Sequence, residues 1–312
     1  MALGFGANAR FLAAFESDYG VPPASGWTAV QLSRHGLSAK QNLLANDLLG
    51  LGRDPAPPVP GAVSVDGEVG VPTDARAMGL WLKALLGEPV SAGTGPYTHT
   101  FVSGAPIIPS LSIQAANPDV PLFRTHLGVR LDKATFRLER DGLPGATLTL
   151  VAKGEVTDTD FRAASPAQYT PLRFGPLHGQ IRKDGQPLGR VVAAEIGYAN
   201  TLDRIETIRS DGMIDGAEPT AAACTGSITV RFDGTALFEA ATTGTPVALD
   251  FGYLRDASTS LLIAVHEAWL SRPGLAIEGP AGIQATFEFQ GARNAALGRM
   301  ATVTLTNDVE GY

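Results

Sequence analysis

The sequence predicts a mainly β protein: two tandem β-sandwich or barrel domains, each with one covering α-helix. Glycine (36) and proline (22) are abundant together, as many short strands joined by tight turns require. Apolar and polar residues alternate over several segments, so that one face of each strand packs and the other meets solvent. The two halves of the chain also carry similar segments in the same order.

In the first half, residues 27–35 open the copy, and a polar, proline-bearing loop at 46–60 precedes a period-2 strand at 61–71 (GAVSVDGEVGV). Thr73 and Asp74 offer N-caps to a helix in which Ala75, Met78, Trp81, Leu82 and Leu85 repeat at helical spacing, and Gly87 stops it. Residues 110–113 (SLSI) form another strand. Residues 128–153 then give an alternating strand around Ala134-Thr135-Phe136, a glycine-containing turn, and a second alternating strand at 146–150. In the second half, residues 190–198, the loop 209–225 and the strand 226–235 (GSITVRFDGT) take the same order. A shorter helix at 236–241 closed by Gly244, a strand at 260–263, and residues 281–308 around Ala285-Thr286-Phe287 and Ala301–Leu305 complete it. This divides the chain into an N-terminal arm (1–23), copy one (24–155), a linker (156–187) and copy two (188–312). The linker holds a hairpin whose Asp184-Gly185 suits a type I′ turn.

With 24 Lys and Arg against 31 Asp and Glu, the net charge is −7 over 312 residues, which argues against a protein that wraps nucleic acid. It leaves room for one that lets DNA slide past. Cys224 is the sole cysteine, so no intrachain disulfide or thiolate metal cluster forms. No apolar run approaches the roughly 20 residues of a membrane helix, and residues 1–15 lack the basic start and apolar core of a signal peptide. The reading is a soluble protein made in a reducing cytosol.

Candidate chemistry is sparse. His35, His99, His126, His178 and His266 are scattered and never spaced as a helical metal pair. Asp158 and Asp160 lack the glycine and distant glutamate of a calcium loop, so a solvated linker is expected. The run at 4–9 (GFGANA) begins like a dinucleotide fingerprint but follows no strand. No nucleophile-elbow serine or phosphate-loop lysine occurs, and Trp27, Trp81 and Trp269 read as core or interface anchors. No catalytic residue, cofactor site or metal site is expected.

Residues 6–16 (GANARFLAAFE) and 19–23 (YGVPP) resemble the start of a family of phage tail tube proteins. Residues 49–55 (LGLGRDP), 61–67 (GAVSVDG), 81–87 (WLKALLG), 97–101 (YTHTF), 110–113 and 118–121 (PDVP) extend the resemblance through most of copy one. It implies β-sandwich or barrel domains that close into rings and stack as a hollow tube, the conduit for DNA ejection, in a virion tail assembled from protein made in the host cytoplasm. Related single-domain subunits make six-membered rings. A chain with two such domains therefore needs three copies, giving a homotrimeric ring with pseudo-sixfold symmetry. Implied partners are further copies of the chain, the tape measure, terminator and baseplate or distal tail proteins, and genomic DNA passing without specific binding. In tail tubes a loop like 46–60 contacts the neighbouring subunit and the next ring, so Arg53 and Asp54 are assigned to inter-ring contacts.

Asp66 and Glu68 lie on a strand without a basic residue, and lumen-facing carboxylates there would repel DNA. Ordinary strand polarity explains them equally. Alternatives to a tail tube subunit are a tail terminator, a tube component of a contractile injection system, or a carbohydrate-active β-sandwich.

Overall fold

The computed structural model describes residues 3–50, 53–231, 234–274 and 282–312. Parts of the expected segments at 1–2, 51–52, 232–233 and at residue 281 lie outside them. The fold is mainly β, as the alternation predicts.

The chain opens with β1 (Arg10–Phe15), β2 (Thr28–Val30), β3 (Arg34–His35), β4 (Ser38–Leu44) and the long β5 (Val59–Pro72). After α1 (Met78–Leu86) come β6 (Val90–Ala92), β7 (Tyr97–Val102), β8 (Leu111–Asn117), β9 (Leu122–Glu139), β10 (Gly145–Ala152) and β11 (Gly154–Asp158). Short β12 (Ala167–Gln168), β13 (Gly179–Lys183) and β14 (Gln186–Pro187) lead to β15 (Val191–Ala199), β16 (Leu202–Ile205), β17 (Gly216–Pro219) and β18 (Ala223–Arg231). After α2 (Ala236–Thr243) follow β19 (Val247–Asp256), β20 (Thr259–Leu270), β21 (Gln284–Ala292) and β22 (Ala301–Asn307).

One antiparallel sheet runs through both halves in the order β4–β5–β10–β9–β15–β18–β21–β20. A second set of strands pairs as β2–β1–β8–β9–β11 in the first half and as β13–β19–β20–β22–β7–β6 in the second. The long strands β9 and β20 belong to both sets. The first part of β9 lies between β8 and β11, and its second part lies between β10 and β15. β20 pairs with β22 at residues 260–265 and with β21 at residues 267–270. The core fills the space between the sets, and a single apolar cluster includes Leu131, Leu148, Phe251 and Phe287 from both halves.

The connectivity repeats. In each half a middle strand pairs with the strand before it and with both strands after it: β9 with β8, β10 and β11, and β20 with β19, β21 and β22. A hairpin (β4–β5, β15–β18) and one helix precede each series. The correspondence is offset by one strand from the sequence match. Ala134-Thr135-Phe136 lies on β9, whereas Ala285-Thr286-Phe287 lies on β21, the counterpart of β10. Any strand buried on one face selects this alternation, so short similar segments follow the pleat rather than the topology.

The helix begins at Met78 with Ala77 as its N-cap and no side-chain cap, not at the expected Thr73 or Asp74; Asp74 instead holds the turn that leads into it, its Oδ1 accepting the amides of Arg76 and Ala77 at 2.9 Å each. Residues 78–86 are then buried save Lys83, so α1 is a core helix rather than a surface one. α2 is shallower, burying only Leu237 among its residues, and ends at Gly244 in the left-handed conformation. The linker hairpin is present: Arg182 pairs with Pro187 and Lys183 with Gln186, and positive φ at Asp184 (51°) and Gly185 (76°) makes the turn type I′. Within the segment read as an arm, β1 is built into the sheet between β2 and β8, with Leu12, Ala13 and Ala14 buried. The loop expected at 209–225 is shorter than its sequence suggests, because β17 and the first residues of β18 occupy its second half.

Candidate assembly surfaces

The continuous sheet buries one face and exposes a polar one. Along β5, Val65, Val69 and Val71 point into the core, and Asp66 and Glu68 lie on the other face. One ladder row of that outer face reads Gly70, Thr147, Thr135, Gly197, Thr225, Gln290, Trp269 from β5 to β20. Hydroxyls, amides and glycines dominate this row.

Several charges on this face form opposite pairs. Lys40 Nζ lies 3.1 Å and Arg204 Nη1 3.2 Å from the Asp66 carboxylate, and Arg34 pairs with Glu68. Partial burial alone would raise the Asp66 pKa; the hydrogen bonds from Lys40 and Arg204 outweigh it and hold the carboxyl below its usual value. Asp66 and Glu68 therefore have basic partners after all, contributed by β3, β4 and β16 and invisible along β5 itself. Arg137 and Glu195 form a further pair.

The sheet ends on two edges. β4 pairs with β5 on one side, and no strand pairs with its other edge among the described residues; one amide on it, Ala39, bonds the Glu155 carboxylate at 3.3 Å. At the other end β20 pairs with β21 through Leu270, and the Ser271 amide continues the contact to the Glu288 carbonyl at 2.8 Å; on its other side β19 pairs with it as far as Ala268, opposite Val247, and no strand pairs there from Trp269 onward among the described residues. Trp269 is 44 % exposed at this edge, whereas Trp27 and Trp81 are buried. From the end of β4 to the start of β5 the chain carries exposed apolar side chains, Leu43, Leu44, Leu48, Leu49 and Val59, with Leu49 97 % exposed. Arg53 and Asp54 are exposed on the same loop.

The remaining candidates take structural roles. Cys224 is buried, which pushes its thiol up to about 12, so it is inert. Asp158 is held by Thr125, Gln114 and Arg162, and Asp160 Oδ1 accepts the Phe161 amide. His99 is locked between Ser91, Asn307 and the Val309 carbonyl. The rings of His35 and His126 lie against each other in the first half of the chain, tilted by 33° with centroids 5.6 Å apart. Sequence reasoning missed the two open edges and the Arg204 partner of Asp66, since both depend on which distant strands pair.

A family model described as phage tail tube protein matches residues 6–291. No curated protein matches the chain.

Proposed function

The chain belongs to the phage tail tube protein family, and on that premise we propose that it assembles into rings that stack as the tube of a phage tail. Membership makes it a structural component of the virion tail. The observation that supports ring assembly is the sheet that runs from one half of the chain into the other and stops at two edges. Open edges invite pairing, and closure around an axis removes them. Each half supplies one series of strands, so three chains would bring six series to a ring, and a barrel of that size keeps an open lumen. The division into two domains is part of this reading.

We assign the polar face of the sheet to the lumen. Several of its charges are paired locally and both signs occur among the others (Lys133, Glu139, Glu288), so DNA would pass a largely hydroxyl- and amide-lined wall that neither binds phosphates nor strongly repels them. Asp66 and Glu68 then contribute to a balanced surface rather than an acidic one. Arg53 and Asp54, on the exposed loop, are assigned to contacts between stacked rings. The tape measure, terminator and distal tail proteins would meet the tube at its ends.

Electron microscopy of the purified chain tests this. Stacked tubes or rings with an axial channel are expected. Capped single rings would favour a terminator, and a monomer that binds glycans would replace the reading with a carbohydrate-binding β-sandwich.

A further inference from the structure

The chain already contains one join of the kind a ring would repeat. In the order of the continuous sheet, β9 is the last strand of the first half and pairs antiparallel with β15, the first strand of the second: Lys133 opposite Ala199, Thr135 opposite Gly197, Arg137 opposite Glu195. β20 occupies the position of β9 in the second series, and the β3–β4 segment occupies that of β15 in the first. The core residues fix the correspondence. Leu131 and Ala134 of β9 match Ala268 and Leu270 of β20, all four buried, once the bulge that leaves Asp132 out of the β9–β10 ladder is allowed for, which sets Lys133 against Trp269 on the outer face. On the other strand, Ala199 lies opposite Ala223 of β18 as Ser38 lies opposite Asp66 of β5.

Resting on the tube reading, we infer that the end of β20 pairs antiparallel with the β3–β4 edge of a second copy of this chain, with Trp269 opposite Ser38 and Ser271 opposite Gly36. The occupant is argued from the chain's own β9–β15 join: β19 reaches β20 only as far as Ala268, opposite Val247, and from Trp269 onward, as along the outer edge of β3–β4, no strand pairs with the edge it needs among the described residues. Backbone hydrogen bonds supply the join, and Trp269 gains a neighbour for its exposed ring.

A second contact follows the same rotation. Within one chain, the β16–β17 hairpin of the second half lies across the first-half sheet: Arg204 bonds Asp66, the Gly212 carbonyl accepts the Val63 amide at 3.2 Å, and Arg130 donates to the Ala217 carbonyl at 2.7 Å. Its counterpart is the β4–β5 hairpin. That hairpin of the second copy would lie across the second-half sheet of the first, covering Leu43, Leu44 and Leu49, which have no such cover in the single chain.

The test is a double variant, Ser38→Cys with Ser271→Cys, each single variant serving as a control. Assemblies are first confirmed by electron microscopy, then treated with a short bismaleimide and run on a denaturing gel. The expected result is conversion of most chains to covalent dimer and trimer in the double variant, with the ladder ending at trimer, and monomer in both controls. Rings that form but yield only monomer would overturn the seam while leaving the tube reading intact. Equal cross-linking of a single variant would also overturn it, since the bond would then lie elsewhere. Absence of any ring in the unmodified chain would instead remove the tube reading on which the seam rests.

Discussion

Glu195 on β15 accepts a hydrogen bond from Arg137 Nε on β9 at 2.7 Å, and the same two residues stand directly opposite each other in the ladder that joins the halves of the chain. Both side chains are well exposed. Exposed pairs of this kind contribute about 0.2–1 kcal/mol. A double-mutant cycle of Arg137→Ala and Glu195→Ala, read by denaturant unfolding, should therefore give a coupling within that range and leave the assembly competent. A coupling of several kcal/mol would mean that the ion pair, not the backbone ladder, holds the join.

Phe101 shows how far the halves interlock. It sits on β7, in the first half of the sequence, yet pairs with Val303 of β22 and is fully buried in the shared core. Phe101→Ala should cost about 3–5 kcal/mol. Because one core serves both halves, unfolding followed by tryptophan fluorescence and by far-UV circular dichroism should lose stability in a single transition. Two separated transitions would contradict the shared core.

Much of this was legible beforehand, and what was not shares one physical cause. Gly87 and Gly244 as helix stops and the Asp184-Gly185 turn depend on neighbours in sequence, and all three stand where local chemistry puts them, whereas the expected cap at Thr73 or Asp74 falls on the turn before the helix. The pairing of β7 with β22, the insertion of β1 beside β8, and the basic partners of Asp66 depend on strands far apart in the chain. Alternation says that a strand has a buried face but not which strand it meets. The Ala-Thr-Phe segments illustrate the point: they look equivalent and occupy non-equivalent strands. For the assembly surfaces, the exposed loop carrying Arg53 and Asp54 could be read from its length and prolines, whereas the open edges required the sheet order.

Tyr312 packs its ring directly on Gly79 of α1. A Cβ at Gly79 would stand 2.1 Å from the ring's Cζ, while the hydroxyl donates to the Arg76 carbonyl at 2.6 Å and meets the Asn307 amide at 2.6 Å. Gly79→Ala should displace the ring and destabilise the fold by about 1–3 kcal/mol. Tyr312→Phe, which keeps the ring and loses the hydroxyl, should cost roughly 1 kcal/mol. Thermal melts of Gly79→Ala with and without Tyr312→Ala check this: in the Tyr312→Ala background the alanine should cost little, and an unchanged cost would show that the ring is not what confines Gly79.

His35 and His126 set a pH dependence. Burial, then Arg124, lowers His35 to about 4; burial, then His35 and Arg124, lowers His126 to about 3. Glu155 Oε2 lies 3.2 Å from His126 Nδ1 and favours the charged ring, but it is outweighed. Both rings are neutral in the fold and titrate near 6.5 when unfolded. Between these values the unfolded chain binds more protons, so stability is fully present above about 6.5 and is lost as pH falls towards 4 and 3, by on the order of a few kcal/mol. Urea unfolding at stepped pH from neutral to about 4 should show this decline, and His126→Gln should flatten it. A wild-type stability unchanged over that interval would contradict the buried neutral pair.

The central claim is that one chain supplies two of the six units of each ring. The most direct measurement is the number of chains per ring in tubes of the purified protein, by electron cryomicroscopy without imposed symmetry. Three chains per ring, with threefold symmetry and a near-sixfold repeat of strand series around the lumen, is the predicted result. Six full chains per ring, or rings in which only one half of each chain lines the lumen, would contradict it.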